Sequence, residues 1–209
     1  MPTLRYVTLR YAPYALRYVR VGDKIIPSRF SVEMVDRAIH KMKRGKASGV
    51  DNLTCEHLHS SHPVVTDVIT TLFNIMLKIG YLPNDFGVGL IVPIPKGDKR
   101  NHDKLDDFRG VTINCVISKI FEHCLYECCQ SFFYSSDRQF GFKKNLGCQH
   151  AIYSLRKIVE HFTLNESTVY MGSLDLSKAF DRVSHDKLFM KLANRNVPKF
   201  LLEIFSKLV

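Results

Sequence analysis

The chain has 209 residues and an ordinary globular composition, with 45% hydrophobic and 24% charged residues. These values exclude a wholly disordered chain and a collagen-like or coiled-coil rod. The longest apolar stretch, residues 64–79, contains Asp67 and Lys78, so we expect no membrane span. Thirty Lys and Arg residues against 20 Asp and Glu give a net charge of +10, which favours a partner such as nucleic acid or nucleotide phosphate.

The positive charge is concentrated in the first part of the chain. Residues 1–50 contain 11 basic and 3 acidic side chains, a net charge of +8, so the remainder is close to neutral. Leu-Arg-Tyr occurs three times in residues 1–20, at spacings that fit no repeat fold. We predict that residues 1–30 are a basic, low-complexity leader that is disordered, with no fold of its own. The alternative is an arginine- and tyrosine-rich arm that binds nucleic acid.

The cysteines and the N-terminus indicate an intracellular protein, in the nucleus or cytoplasm, and not a secreted one. The six cysteines include no Cys-x-x-Cys pair, and four arginines interrupt the first 20 residues where a signal peptide would be apolar. Cys55, His57, His59 and His62 are too evenly alternated to place four ligands on one helix face. We therefore expect reduced thiols and no metal cluster.

From residue 31 onward, hydrophobic periodicity predicts an α+β fold. It predicts helices at 31–45, 63–80, 117–133 and 148–163, with two more between 184 and 208, and strands at 89–93, 109–114 and 168–175. Ser31 and Pro63 are expected to begin the first two helices, and Gly45 and Gly80 to end them. The strands at 89–93 and 109–114 should pair antiparallel.

Asp175 lies where an apolar strand is predicted to end. A buried carboxylate is costly unless a cation, a metal or hydrogen bonds compensate it. Asp175 is therefore a candidate ligand of Mg²⁺ beside substrate phosphates. The alternative is an aspartate that caps the next turn, and the spacing does not decide between the two.

The segment Leu174–Asp181 resembles the first aspartate motif in the palm of reverse transcriptases of non-LTR, LINE-like retrotransposons. Five further segments are similar to blocks of that family and occur in the same order: Lys43–Asp51, Phe73–Pro83, Ile91–Lys96, Phe108–Glu122 and Asp137–Phe142. Gly110 and Thr112 stand where the commoner form has Pro and Ser. Six blocks in order specify the family far better than one motif does.

The resemblance implies a right-hand polymerase domain, with fingers at about 31–165 and the start of the palm at about 166–209. The aromatic-x-Asp-Asp turn of the family does not occur in the sequence, because Asp106-Asp107 has Lys104 where the aromatic residue belongs. Two-metal phosphoryl transfer needs carboxylates on both sides of the metal pair. We therefore expect a C-terminally truncated domain that is inactive alone.

The resemblance also implies roles for single residues around an incoming nucleotide. Asp175 would be catalytic and bind Mg²⁺, the Leu176 backbone would approach the triphosphate, and Phe180 would exclude a ribose 2′-hydroxyl unless it packs in the core. Lys96 and Arg109, expected on one side of the hairpin, would hold the triphosphate. The alternative for these two is a solvated hairpin face.

Three more residues are implied to contact the template. Arg44 and Lys46 would touch its backbone, although a charged helix end would look the same, and Gln139 would lie against it or fix its own loop. The implied function is RNA-directed DNA synthesis from an RNA template, a DNA primer and deoxynucleotides. Two alternatives remain: a non-catalytic nucleic-acid-binding remnant, and a degenerate transposon relic.

Overall fold

The computed structural model describes residues 5–7, 18–21, 24–27, 29–96, 107–176 and 179–208. The chain divides into two compact units, one formed by residues 1–132 with 185–209 and the other by residues 133–184. The predicted fingers–palm boundary at 165/166 stays a prediction. The mixture of helices and strands confirms an α+β fold.

The elements follow one another from a strand-rich start to a helical remainder. The strands are β1 (Arg5–Val7), β2 (Tyr18–Val21), β3 (Lys24–Pro27), β4 (Gly89–Pro95) and β5 (Phe108–Asn114). The helices are α1 (Val32–Lys41), α2 (Cys55–His59), α3 (Val64–Ile79), α4 (Val116–Cys129), α5 (Cys148–Leu164), α6 (His185–Asn194) and α7 (Lys199–Leu208). Short 3-10 turns occupy Asn84–Phe86 and Gln130–Phe132. Among the described residues, no helix is both long and apolar enough to cross a bilayer.

The leader differs from the prediction, because β1, β2 and β3 form an antiparallel sheet in that order. Val21 pairs with Lys24, so only Gly22 and Asp23 connect β2 to β3. Two β-prone runs separated by Gly-Asp are a hairpin signal. The prediction of a leader with no fold of its own did not include that signal.

Helix ends follow the predicted caps at three of four positions. Ser31 Oγ accepts a hydrogen bond from the Met34 amide at 3.2 Å, α3 begins directly after Pro63, and Gly80 ends α3 with a φ of 63°. Gly45 was expected to end the first helix, but α1 stops at Lys41, and Met42 is already extended. Gly45 instead lies in the following loop with a φ of 69°.

The core of the first unit is built around aromatic rings contributed by several elements. Phe121 of α4 contacts Phe73 of α3 edge-on, with the ring centroids 5.0 Å apart, and it also contacts Phe30 and Phe86. The Asn74 side chain accepts from the Phe30 amide at 2.8 Å and donates to the Phe30 carbonyl at 3.0 Å. These contacts attach the segment before α1 to the α3–α4 pair.

The predicted hairpin is present, and the predicted third strand is not. β4 and β5 pair antiparallel over seven residues each, with most of both strands exposed. The prediction of a strand at 168–175 is wrong, because the described residues there have no regular structure and Asp175 is exposed. A strand needs a partner for its backbone groups. Within the described ranges, every strand already pairs inside one of the two sheets.

The last helix, α7, buries more of its side chains than α5 does. In α7, Leu201 and Ile204 are buried, and Val197 before it is buried as well. In α5, the helix of the second unit, no residue is buried, although its apolar side chains recur with helical spacing. The second unit therefore has little core of its own.

Candidate functional site

The β4–β5 hairpin brings Lys96 and Arg109 to one face. Arg109 lies opposite Ile94, and the Lys96 amide donates to the Asp107 carbonyl at 2.8 Å, which continues the pairing by one residue. Opposite residues of an antiparallel pair share a face, and so do residues two apart on one strand. Lys96 and Arg109 are thus diagonal neighbours, as expected from the sequence, whereas their role in nucleotide binding stays a prediction.

The same hairpin face is aliphatic toward its base. Leu90, Val92 and Ile94 lie on the same face of β4 as Lys96. On β5, Ile113 lies opposite Leu90, and Val111 lies opposite Val92. Leu90, Val92, Ile94 and Val111 are exposed to solvent. The face therefore combines a cationic tip with an uncovered apolar surface, which suits a ligand that has both phosphates and a planar apolar ring.

Arg44 and Lys46 lie in the loop after α1, which α2 holds in place. The Gly45 amide donates to the Glu56 carboxylate, and this hydrogen bond is the main reason that the pKa of Glu56 falls from 4.5 to about 2. His59 Nε2 lies 3.0 Å from the Ile39 carbonyl, to which it must donate. His59 Nδ1 is then free to accept from the Arg44 guanidinium at 3.3 Å. Arg44 is exposed but hydrogen-bonded to His59 of α2. Lys46 is also exposed.

Lys46 also lines a cavity of about 380 Å³ beside the end of α1. Other basic side chains of the lining are Lys41, Lys43, Lys119 and His123, while Asn114 and Thr54 add polar groups. The sequence pattern did not indicate Lys119 or His123 as nucleotide- or template-binding residues. Both lie on α4, more than 70 residues beyond Lys46, so only the tertiary fold shows that they line one cavity.

Asp175, Leu176 and Phe180 all lie in exposed chain of the second unit. Leu176 and Phe180 are each 78% exposed, so Phe180 is not a core side chain, and its ring edge contacts Phe142 with the centroids 6.1 Å apart. No group of three His, Cys, Asp or Glu side chains that could hold a metal occurs in the part of the chain that the structure describes. The described residues therefore do not form a complete magnesium site, and Asp175 offers one carboxylate.

Gln139 acts within its own loop. Its side-chain amide donates to the Gly141 carbonyl at 3.1 Å, which matches the alternative that it fixes the turn. The same loop is held by Lys143, which donates to the Ser136 carbonyl at 2.8 Å. Contact between Gln139 and a template stays a prediction.

The cysteines of α4 are buried thiols. Cys124 and Cys129 are fully buried and Cys128 is partly buried, and all six cysteines of the chain are free. Burial is the main cause that raises the pKa of Cys124, Cys128 and Cys129 to about 12. Thiols with so high a pKa are poor nucleophiles at neutral pH, which supports a packing role.

These features describe an α+β protein whose exposed cationic side chains suit phosphate-bearing ligands. Comparison with known proteins identifies the family: residues 94–208, more than half of the chain, match the family described as "Reverse transcriptase (RNA-dependent DNA polymerase)", and the chain belongs to it. The resemblance inferred from the six sequence blocks is thereby confirmed.

Three of the proteins similar to the chain come from mobile elements of Drosophila melanogaster. The chain is 25% identical over 185 residues to a retrovirus-related Pol polyprotein from type-2 retrotransposable element R2DM, covering 85% of the chain and 17% of that protein. It is 25% identical over 215 residues to the RNA-directed DNA polymerase from mobile element jockey, covering 97% and 23%. A probable RNA-directed DNA polymerase from transposon X-element is 28% identical over 165 residues, covering 76% and 18%. The chain thus spans less than a quarter of each of these relatives.

Proposed function

We propose that the chain provides the fingers and the first part of the palm of an RNA-directed DNA polymerase of a mobile element. Two of the relatives named above have that activity in their names. The observation on which the proposal chiefly depends is the register of β4 and β5, which puts Lys96 and Arg109 on one exposed hairpin face. The substrates proposed for the whole domain are an RNA template, a DNA primer and deoxynucleotides.

In this proposal the hairpin tip binds the triphosphate of the incoming nucleotide. The planar guanidinium of Arg109 donates two parallel hydrogen bonds to phosphate oxygens, and Lys96 adds a compact positive charge. The aliphatic side chains of Leu90, Val92 and Ile94 lie further along the same face, where an apolar ring can pack. Arg44, Lys46 and Gln139 are proposed to contact the template.

Within the second unit, one carboxylate and one exposed ring have proposed roles in the function. Asp175 would hold Mg²⁺ through its carboxylate, and the bound metal would supply positive charge beside the reacting phosphates. The backbone at Leu176 approaches the triphosphate, and Phe180 blocks a 2′-hydroxyl. The exposure of Phe180 supports this last role, because a ring that contacts a sugar cannot be packed in a core.

A nucleotide titration tests the hairpin assignment. A fluorescent deoxynucleoside triphosphate is titrated with the 209-residue chain, with the Arg109→Gln variant, and with Arg138→Gln, an exposed arginine in a loop of the second unit, as control. Loss of a charged, bidentate contact should weaken affinity by roughly 10- to 100-fold. The control should stay within about twofold of the wild-type chain. Equal weakening by both variants would show that general charge is responsible, and would remove the hairpin assignment.

A further inference from the structure

We propose that the exposed side of α3 is a contact surface between two copies of this chain, which pair through their α3 helices in antiparallel orientation. The surface is an apolar stripe of five side chains that are each 45–62% exposed: Val64, Val68, Leu72, Ile75 and Ile79. Successive members are three or four residues apart, so they lie on one side of the helix. The apolar stripe has no role in the proposed function.

The opposite side of α3 is already packed in the core of the first unit. Phe73 contacts Phe121 of α4, and Ile69, Met76 and Leu77 are buried as well. The helix is therefore apolar on both sides, a pattern typical of a helix that is covered all round. A contiguous exposed apolar surface with polar residues at its border is typical of a protein–protein contact. We therefore expect the apolar stripe to be covered by a partner.

Two opposite charges beside the apolar stripe indicate that the partner is a second copy. Asp67 and Lys78 are eleven residues apart, which is about three helical turns, so they lie on the same flank of the stripe. Asp67 comes five residues before Leu72, and Lys78 comes six residues after it. A two-fold axis near Leu72 that makes the helices antiparallel brings these flanks together. Asp67 of each copy then lies opposite Lys78 of the other.

Both charges are available for this pairing. Neither Asp67 nor Lys78 forms an ion pair with another residue that the structure describes. A parallel pair of α3 helices would put like charges at the same height and would bring unlike flanks together, so it could not use them. Antiparallel pairing also sets the two helix dipoles against each other, which is the favourable arrangement. The charge pattern therefore specifies the orientation as well as the partner.

The surroundings of the two ends of α3 are opposite in charge as well. The start of α3 borders a hollow of about 310 Å³ whose lining contains the carboxylates of Glu33, Asp36 and Asp67. Arg37, the basic residue of that lining, already pairs with Glu127 at 2.6 Å. At the end of α3, beside Lys78, Lys207 of α7 donates a hydrogen bond to the Gly80 carbonyl. Antiparallel pairing thus brings each acidic end toward the basic end of the other copy, which favours association.

The length of α3 indicates a weak, reversible dimer. The helix has 16 residues, which makes it about 24 Å long. A contact between two single helices of this length is smaller than the roughly 1,600 Å² of a standard protein–protein interface. We therefore expect association at micromolar concentrations. Because each copy uses the same surface, the assembly closes at two chains.

Sedimentation velocity over a hundredfold range of micromolar concentrations tests the surface. The average mass of the 209-residue chain should rise from one chain toward two. Leu72→Glu puts two carboxylates beside the axis and should weaken association at least roughly tenfold. Leu155→Glu on α5 is the matched control, because the two leucines are 45% and 50% exposed, and circular dichroism establishes that each variant keeps its helices. A chain that stays monomeric throughout, or equal weakening by the two variants, would overturn the inference.

Charge reversal tests the antiparallel orientation. Asp67→Lys and Lys78→Asp should each weaken association roughly tenfold, because each puts like charges opposite one another at two symmetric positions. An equimolar mixture of these two variants should associate as the wild-type chain does, since every opposed pair is then complementary again. Glu166→Lys, at an exposed position of the second unit, is the control for net charge and should change nothing. Single variants that associate like the wild-type chain, or a mixture that does not recover, would contradict antiparallel pairing through α3.

Discussion

The backbone of Gly49 lies directly against the backbone of Cys115. A β-carbon added at Gly49 would lie 2.8 Å from the Cys115 nitrogen and 2.9 Å from its α-carbon, closer than real β-carbon contacts. Gly49 is buried, and Cys115 is the residue before α4. Glycine is required at this position because a side chain would meet the Cys115 backbone. Only a residue without one allows the loop that contains Lys46 to pack against the start of α4.

Replacing Gly49 with alanine should therefore displace that loop. Because the added methyl group would meet backbone atoms that cannot move aside cheaply, we expect a loss of roughly 1–3 kcal/mol in the free energy of unfolding. Urea denaturation followed by circular dichroism measures it. Gly141→Ala is the matched control, since nothing lies within 4 Å of the added β-carbon at that position. Similar midpoints for Gly49→Ala and the wild-type chain would show that the loop does not depend on this contact.

Asn74 should be one of the most sensitive polar positions of the first unit. Its side chain makes two hydrogen bonds with the backbone of Phe30, whose ring packs in the aromatic core. Alanine would leave both backbone groups without their partner, at a cost of roughly 1–3 kcal/mol in the free energy of unfolding. Thr71→Ala, an exposed change on the same helix, should alter it by about 0.5 kcal/mol or less. Equal effects of the two changes in urea denaturation would contradict this role.

The hydrogen bond from Gly45 to Glu56 predicts an acid-dependent contribution to stability. The folded-state pKa of Glu56 is about 2, below its ordinary value of 4.5, so the folded state favours the ionised carboxylate. The stabilising contribution is therefore complete above about pH 4.5 and is lost as the pH falls toward 2. The difference in urea midpoint between the wild-type chain and Glu56→Gln should shrink over that range. A difference that does not change with pH would refute the assignment.

Primer extension by the 209-residue chain alone should be absent. The sequence has no aromatic-x-Asp-Asp run, and the described residues gather no set of three metal ligands. Because phosphoryl transfer with two metals needs carboxylates on both sides of the pair, neither Mg²⁺ nor Mn²⁺ should support synthesis on a primed RNA template. Template-dependent extension that disappears in Asp175→Ala would prove that the chain assembles a complete site.

The sequence predicts best where local chemistry decides the structure. Ser31, Pro63 and Gly80 act within one turn of their own helix, and the alternation in β4 and β5 is satisfied by a partner strand nearby in the chain. The strand expected before Asp175 was wrong because pairing depends on a neighbour that the pattern cannot supply. In the same way, no pattern revealed that Lys119 and Lys46 line one cavity, since that follows from the packing of α4 against the end of α1.

The nucleotide-binding role of the β4–β5 hairpin is tested most directly by mapping where a photoreactive deoxynucleoside triphosphate attaches to the chain. After irradiation with an azido derivative, mass spectrometry of the digested protein locates the adducts. We predict adducts within residues 94–109, at the hairpin tip of Lys96 and Arg109, that unlabelled deoxynucleotide suppresses and that Arg109→Gln reduces. Adducts confined to other segments, or adducts that unlabelled deoxynucleotide does not suppress, would contradict the proposal that this hairpin binds the incoming nucleotide.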